Sequence, residues 1–254
     1  MKVLTAEQIL SKGRFVMVYS DTGVGKTTSL LQSAPLPIDY IQAEKRSLQP
    51  QIEAAERDDL VVGKTLKVSQ YDNFLDLLDY VTHPENFEPG TTIVVDSYTH
   101  LMNFDLMTEI STEAFEQRTE KEKKKVIKTL VESTKMSMEG YGGLSAQMTR
   151  LTSALQKLSV DGRIVVVTAL LEENPRWNRG LSAAPALAGK DFPKKFPGFF
   201  DLIGLLEPRV VNNEVVYPPR VRFESDGTFT AKWTGKSKKR SGPFNLQKIL
   251  ENSG

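Results

Sequence analysis

Residues Ser20 to Thr28 read SDTGVGKTT, two glycines and a lysine followed by two threonines, directly after the apolar run of RFVMVYS. Small residues, one cation and hydroxyls in that order suit phosphate binding. Backbone N–H groups of a glycine-rich turn point inward, a lysine reaches the outer phosphates and a hydroxyl ligates magnesium. Ser20, Asp21, Thr22, Gly23, Val24, Gly25, Lys26, Thr27 and Thr28 are therefore the expected nucleotide-binding residues. The usual G-x-x-x-x-G-K-T pattern has glycine where this chain has Ser20, with Gly23 supplying backbone freedom nearby. An ordinary glycine turn between a strand and a helix is the alternative, and the strand, loop, lysine and threonine in register argue against it.

A triphosphate site also needs a metal ligand. TIVVDS places Asp96 at the carboxyl end of an apolar strand expected beside the first, where ligands of open sheets bind. Thr27 and Asp96 are thus the expected Mg²⁺ residues, with Lys26 on the outer phosphates. Hydrolysis further requires a group that orients or deprotonates water. Ser97 follows Asp96, so that group is not beside the metal ligand; Glu44, closing the second strand in QAEKR, is the best candidate, with Asp39 next. Ends of adjacent or next-but-one strands lie roughly 5 to 10 Å apart, within reach of a shared phosphate. Glu44 as a plain surface glutamate is the competing reading.

These residues need a sheet to hold them. Apolar runs at LPIDYIQ, TLKVSQ, GTTIVVDS and GRIVVVTALL alternate with helical patterns at LQPQIEAAERD, NFLDLLDYV and GLSAQMTRLTSALQKL. The alternation predicts an α/β fold with a mostly parallel sheet covered on both faces. The whole chain, 1–254, reads as one domain. Two segments interrupt the rhythm: a charged insertion at 101–142, ending in a flexible MEGYGG, and a long basic loop at 172–198 rich in proline and glycine. Residues 207–254 read as C-terminal strands, with turns at Asn212-Asn213 and Asp226-Gly227, and a basic tail.

Composition excludes several chemistries. With no cysteine there is no disulfide, thiolate nucleophile or zinc-thiolate site, and two histidines make no histidine cluster. No signal peptide or long apolar run is visible, so a cytoplasmic protein without membrane contact is expected. The net charge of +1 hides an asymmetry: from Glu172 onward there are 14 Lys and Arg against 9 Asp and Glu. Arg176, Trp177, Arg179, Lys190, Lys194 and Lys195 fall in the 172–198 loop. An aromatic among cations suits single-stranded DNA, stacking bases while the charges hold phosphates. A buried Trp177 with solvated lysines would explain the same residues.

The serial order of motifs resembles the ATPase core of the RecA-like recombinases over residues 12–172. YIQAEKRSLQP resembles the strand and acidic turn with the family's catalytic glutamate, and TIVVDSYTHL its magnesium strand. LKVSQYDNFLDLLDYV resembles a strand and helix that pack near the adenine, which implies a nucleotide contact for Tyr71. GGLSAQMTRLTSALQKL and RIVVVTA resemble the elements leading to the second DNA loop. About a dozen residues precede the first strand, too few for an N-terminal polymerisation element, and no sizeable C-terminal domain is expected. The resemblance is therefore closest to the short RecA-like ATPases of bacteriophages, of the single-strand annealing and recombination type. It implies ATP and Mg²⁺ as ligands, DNA-stimulated hydrolysis, single-stranded DNA and recombination proteins as partners, a homo-oligomer, and a location in the host's cytoplasm. It also implies a basic residue reaching the next subunit's site, from Lys232, Lys236, Arg220 or Arg222. TALLEE lacks the glutamine with which full-length recombinases couple nucleotide to DNA; Thr168 is the polar residue that could serve as a sensor there. A ring motor or helicase, a small-molecule kinase and a non-hydrolysing nucleotide switch are the other readings. Against the kinase stand Glu44 and the lack of an arginine-rich lid motif.

Overall fold

The computed structural model describes residues 13–122, 136–238 and 240–253. β1 (Phe15–Ser20) is buried throughout, and its side chains divide by the two-residue period of a strand. Phe15, Met17 and Tyr19 enter one core, Val16 and Val18 the other. Such strands need cover on both faces, which is why the run lacks polar alternation. β2 (Ile38–Gln42), β3 (Leu66–Ser69), β4 (Thr92–Asp96), β5 (Ile164–Glu173) and β7 (Leu202–Val211) join it in the order β3-β2-β4-β5-β1-β7, every neighbouring pair parallel. β8 (Glu214–Arg222) and β9 (Ser241–Pro243) extend the β7 edge in antiparallel fashion. The β7–β8 turn is made by Asn212 and Asn213, with φ of 52° and 64°, as a two-residue hairpin requires.

One face is covered by α3 (Phe74–Thr82) and α5 (Met138–Val160), the other by α1 (Lys26–Ser33), α2 (Gln49–Ala54) and α7 (Leu246–Ser253). Leu144, Met148, Leu151, Leu155 and Leu158 of α5 recur at helical spacing and are all buried. Each such side chain contributes about 1.5–3 kcal/mol. Gly140 and Gly142 lie inside α5, whose N-terminus is capped by Ser137 Oγ accepting from Gly140 N at 3.0 Å. MEGYGG is thus helical: the cap and the stripe that follows outweigh the helix cost of its glycines. Between β4 and α5, a turn at Tyr98–His100 runs through a π-helical stretch, Leu101–Leu106, into α4 (Met107–Glu122). The centre of the charged insertion, 123–135, lies outside the described residues.

The 172–198 segment is more ordered than a loop. β5 continues to Glu173, β6 (Ala183–Pro185) pairs with it antiparallel, and α6 (Asp191–Lys195) and a 3₁₀ turn (Phe196–Gly198) follow. Four-residue spacing puts Phe192, Phe196 and Phe200 in the core, with ring centroids 6.4 and 6.1 Å apart and Phe200 4.1 Å from Phe15. The phenylalanines anchor what proline and glycine content predicts to be irregular.

Candidate functional site

At the carboxyl end of β1 the chain turns through Asp21–Val24 into α1. Gly23 and Gly25 adopt φ of 81° and 96°, which glycine alone tolerates without cost. Ser20 needs no such freedom. It ends the strand, buried, with Oγ donating to Asp21 O at 2.8 Å. Glycine is dispensable there because the turn is made three and five residues later.

Lys26 opens α1 and folds back, its Nζ donating to Ser20 O, Ser20 Oγ and Asp21 O at 3.0–3.1 Å. Its side chain is half-buried. Burial lowers its pKa, opposed by the charges of Asp96, Glu44 and Asp21. The α1 N-terminus has no side-chain cap, so its N–H groups face an open cleft. A helix start in that state attracts anions.

The cleft, about 460 Å³, is lined by Thr22, Gly23, Gly25, Lys26, Thr27 and Thr28 on one side and Glu44, Arg46, Gln51, Asp96, His100 and Leu170 on the other. Asp96 is not on the strand next to β1. β5 lies between β1 and β4, because its valine-rich run is apolar enough to be buried with a parallel partner on each side. That intervening strand supplies Thr168, whose Oγ1 donates to Asp96 Oδ1. Thr27 Oγ1 donates to Asp96 Oδ2 at 2.6 Å, and the Tyr40 hydroxyl donates to the same oxygen. One carboxylate, 2% exposed, thus accepts from three strands or helices at once. Burial first, then the Asp96 charge, pushes the Tyr40 pKa well up, keeping its proton available for that bond.

The turn after β2 is pinned to the end of β4, Ala43 N and Glu44 N both donating to Asp96 O at 2.9 and 3.4 Å. The Glu44 carboxylate accepts from Ser97 Oγ at 3.1 Å and pairs with Arg46 at 3.4 Å. Glu44 therefore faces the cleft that holds Lys26, Thr27 and Asp96. The alternative carboxylate, Asp39, is committed elsewhere, accepting from Ser69 and Tyr80 and pairing with Lys67 at the sheet edge. A hard-oxygen pair, a threonine hydroxyl and a carboxylate 2.6 Å apart beside the lysine, fits Mg²⁺.

The sheet order also decides what does not join this cleft. Tyr71 packs in the core under α3 with its hydroxyl donating to Asp105 at 2.6 Å, and does not line the cleft. Arg176, Arg179, Lys190, Lys194 and Lys195 are exposed, whereas Trp177 is half-buried with its indole Nε1 lacking an acceptor among the described residues. Arg222 is held by Glu207 at 3.1 Å and Asp226 at 3.6 Å, and stacks over Phe229 at 4.3 Å. Lys232 Nζ donates to Pro197 O at 3.0 Å, while Arg220 and Lys236 are exposed without an ion pair among the described residues.

Sequence reasoning missed Tyr40, Arg46 and Tyr217. Arg46 was legible, two residues beyond Glu44. Tyr217 was not: it lies on β8, 192 residues from Gly25, yet its hydroxyl donates to Gly25 O at 3.1 Å.

A family model described as an AAA domain, AAA_24, matches residues 12–241. The chain belongs to this family. With its phosphate loop after β1, Asp96 two strands away and a mostly parallel sheet between helices, it has the α/β core of a P-loop nucleotide-binding protein. No curated protein matches the chain. Among solved structures it is similar to the KaiC-like protein PH0186 of Pyrococcus horikoshii OT3, at 14% identity and TM-score 0.43, over 83% of this chain and 78% of that one. It is similar to an ATPase from the type III secretion system of pathogenic bacteria, at 14% identity and TM-score 0.44, over 77% and 52%. The flagellar accessory protein FlaH of Methanocaldococcus jannaschii is similar at 9% identity and TM-score 0.41, over 83% and 76%. No helix among the described residues is long and apolar enough to cross a membrane.

Proposed function

We propose that the protein hydrolyses ATP with Mg²⁺ and does so on single-stranded DNA, as a homo-oligomer in strand annealing or recombination. The observation that carries the hydrolytic part is the Glu44 carboxylate, oriented by Ser97 at 3.1 Å toward the cleft that holds Lys26 and the Thr27–Asp96 pair. Lys26 leaves its loop carbonyls for the β and γ phosphate oxygens, and the anion offsets the desolvation that depresses the ammonium. The free N–H groups at the start of α1 hold the phosphates along the loop. Glu44 orients a water in line with the γ phosphorus and takes its proton. Thr27 and Asp96 would hold Mg²⁺, which neutralises charge developing on the phosphates.

Support for the DNA part is the exposed pair Arg176 and Arg179 flanking Trp177 just beyond the carboxyl end of β5, with Lys190, Lys194 and Lys195 exposed further along the same segment. For a trans contact, Arg220 and Lys236 are the better candidates, since Arg222 and Lys232 are engaged within their own chain. The test is steady-state ATP turnover with and without single-stranded DNA. Stimulation supports the reading. Turnover indifferent to DNA removes the DNA part, and tight ATP binding without turnover replaces it with a nucleotide switch.

A further inference from the structure

The phosphate loop has two flanks, set by strand order. On one side of β1 lie β5, β4 and β2, with Asp96 and Glu44 at their carboxyl ends; on the other lie β7 and β8. A nucleoside triphosphate with its γ phosphate between Lys26 and Glu44 must carry its nucleoside away from those carboxylates, past Thr28, toward β7 and β8. Two strand spacings in that direction, roughly 10 Å, β8 presents Tyr217. Its hydroxyl donates to Gly25 O (3.1 Å) and shares a 2.6 Å hydrogen bond with Ser29 Oγ. The ring edge seats against the loop so closely that a Cβ on Gly25 would stand 2.6 Å from Tyr217 Cε2. The two hydrogen bonds fix the phenol tip, while 42% of the residue stays exposed. Beside it, Arg209 Nη2 donates to Tyr217 O at 2.9 Å, and Arg209 Nε is buried with no acceptor among the described residues.

We infer that Tyr217 is the platform on which the nucleobase stacks, with Arg209 as the neighbouring donor for base or ribose acceptors. An aromatic held at its tip and open beside the loop is rigid before the ligand arrives, which limits the ordering cost of binding. Stacking reads a π-face rather than a hydrogen-bond pattern, so the site should accept ATP and GTP with similar affinity. This inference rests on the nucleotide reading proposed above.

The experiment compares Mg·ATP with Mg·tripolyphosphate, which has the phosphates and no base, by calorimetry on wild type and Tyr217 variants. Tyr217→Ala should weaken ATP about 5- to 150-fold, the range for losing one stacked base, and leave tripolyphosphate unchanged. Tyr217→Trp should keep ATP affinity. Equal weakening of both ligands would mean that Tyr217 only shapes the loop, and would overturn the inference, as would no change in either. If the alanine variant does not fold, Tyr217→Leu, which keeps apolar volume without a π-face, is measured in its place against the same two outcomes. A wild type that binds tripolyphosphate but gains nothing from the nucleoside sinks the platform alone; one that binds neither sinks the nucleotide reading as well.

Discussion

The nucleotide cleft gathers at the carboxyl edge of the sheet, whereas the basic segment leaves the end of β5 and runs back to Phe15 at the amino end of β1, and the two are held in opposite ways. In the cleft the functional groups bond to one another: Asp96 accepts from Thr27, Tyr40 and Thr168, and Glu44 is held by Ser97 and Arg46. In the segment the phenylalanines are fixed in the core and the cations are exposed to solvent. Chemistry at a phosphorus needs groups preorganised to fractions of an ångström. Holding a flexible polyanion needs charge density and an adaptable surface. One sheet carries both because side-chain bonding, not backbone position, sets the rigidity.

The strongest way to break that contrast is Lys26→Ala. Hydrolysis should vanish and triphosphate affinity fall sharply, while circular dichroism shows the fold retained. Wild-type turnover in this variant would place the reaction elsewhere. Glu44→Gln should bind Mg·ATP and turn it over about 10² to 10⁴ times more slowly. Were turnover unchanged, Glu44 would be a surface residue after all, and the cleft would need another base.

On the other side of the comparison, Phe192→Ala should cost about 3–5 kcal/mol of stability in chemical denaturation, because its ring is fully buried. A cost below about 1 kcal/mol would mean that the segment is not anchored by its aromatics. The smallest effects belong to its surface, read by titrating a labelled single-stranded oligonucleotide at several salt concentrations. Trp177→Ala should lose about 1–3 kcal/mol with the salt slope nearly constant. Arg176→Ala with Arg179→Ala should instead flatten the slope by somewhat over one unit, since roughly 0.7 counterions are released per single-strand phosphate contact. Wild-type affinity and slope in all these variants would move the DNA to another face.

The linear chain fixes what depends on neighbours in sequence. Gly23, Gly25, Lys26 and Thr27 must form a phosphate turn because the left-handed backbone and the helix start are local. The apolar runs announce buried parallel strands, and their polar ends announce Asp96 and Glu44. What depends on strand order was not legible. Insertion of β5 between β1 and β4 brought Thr168 to Asp96, and extension of the sheet through β7 carried Tyr217 to Gly25. The same order left Tyr71 in the core under α3. Periodicity records which face of an element is buried, whereas the partner across that face is chosen by packing among all elements at once. For that reason the aromatic beside the phosphate loop comes from the far end of the chain.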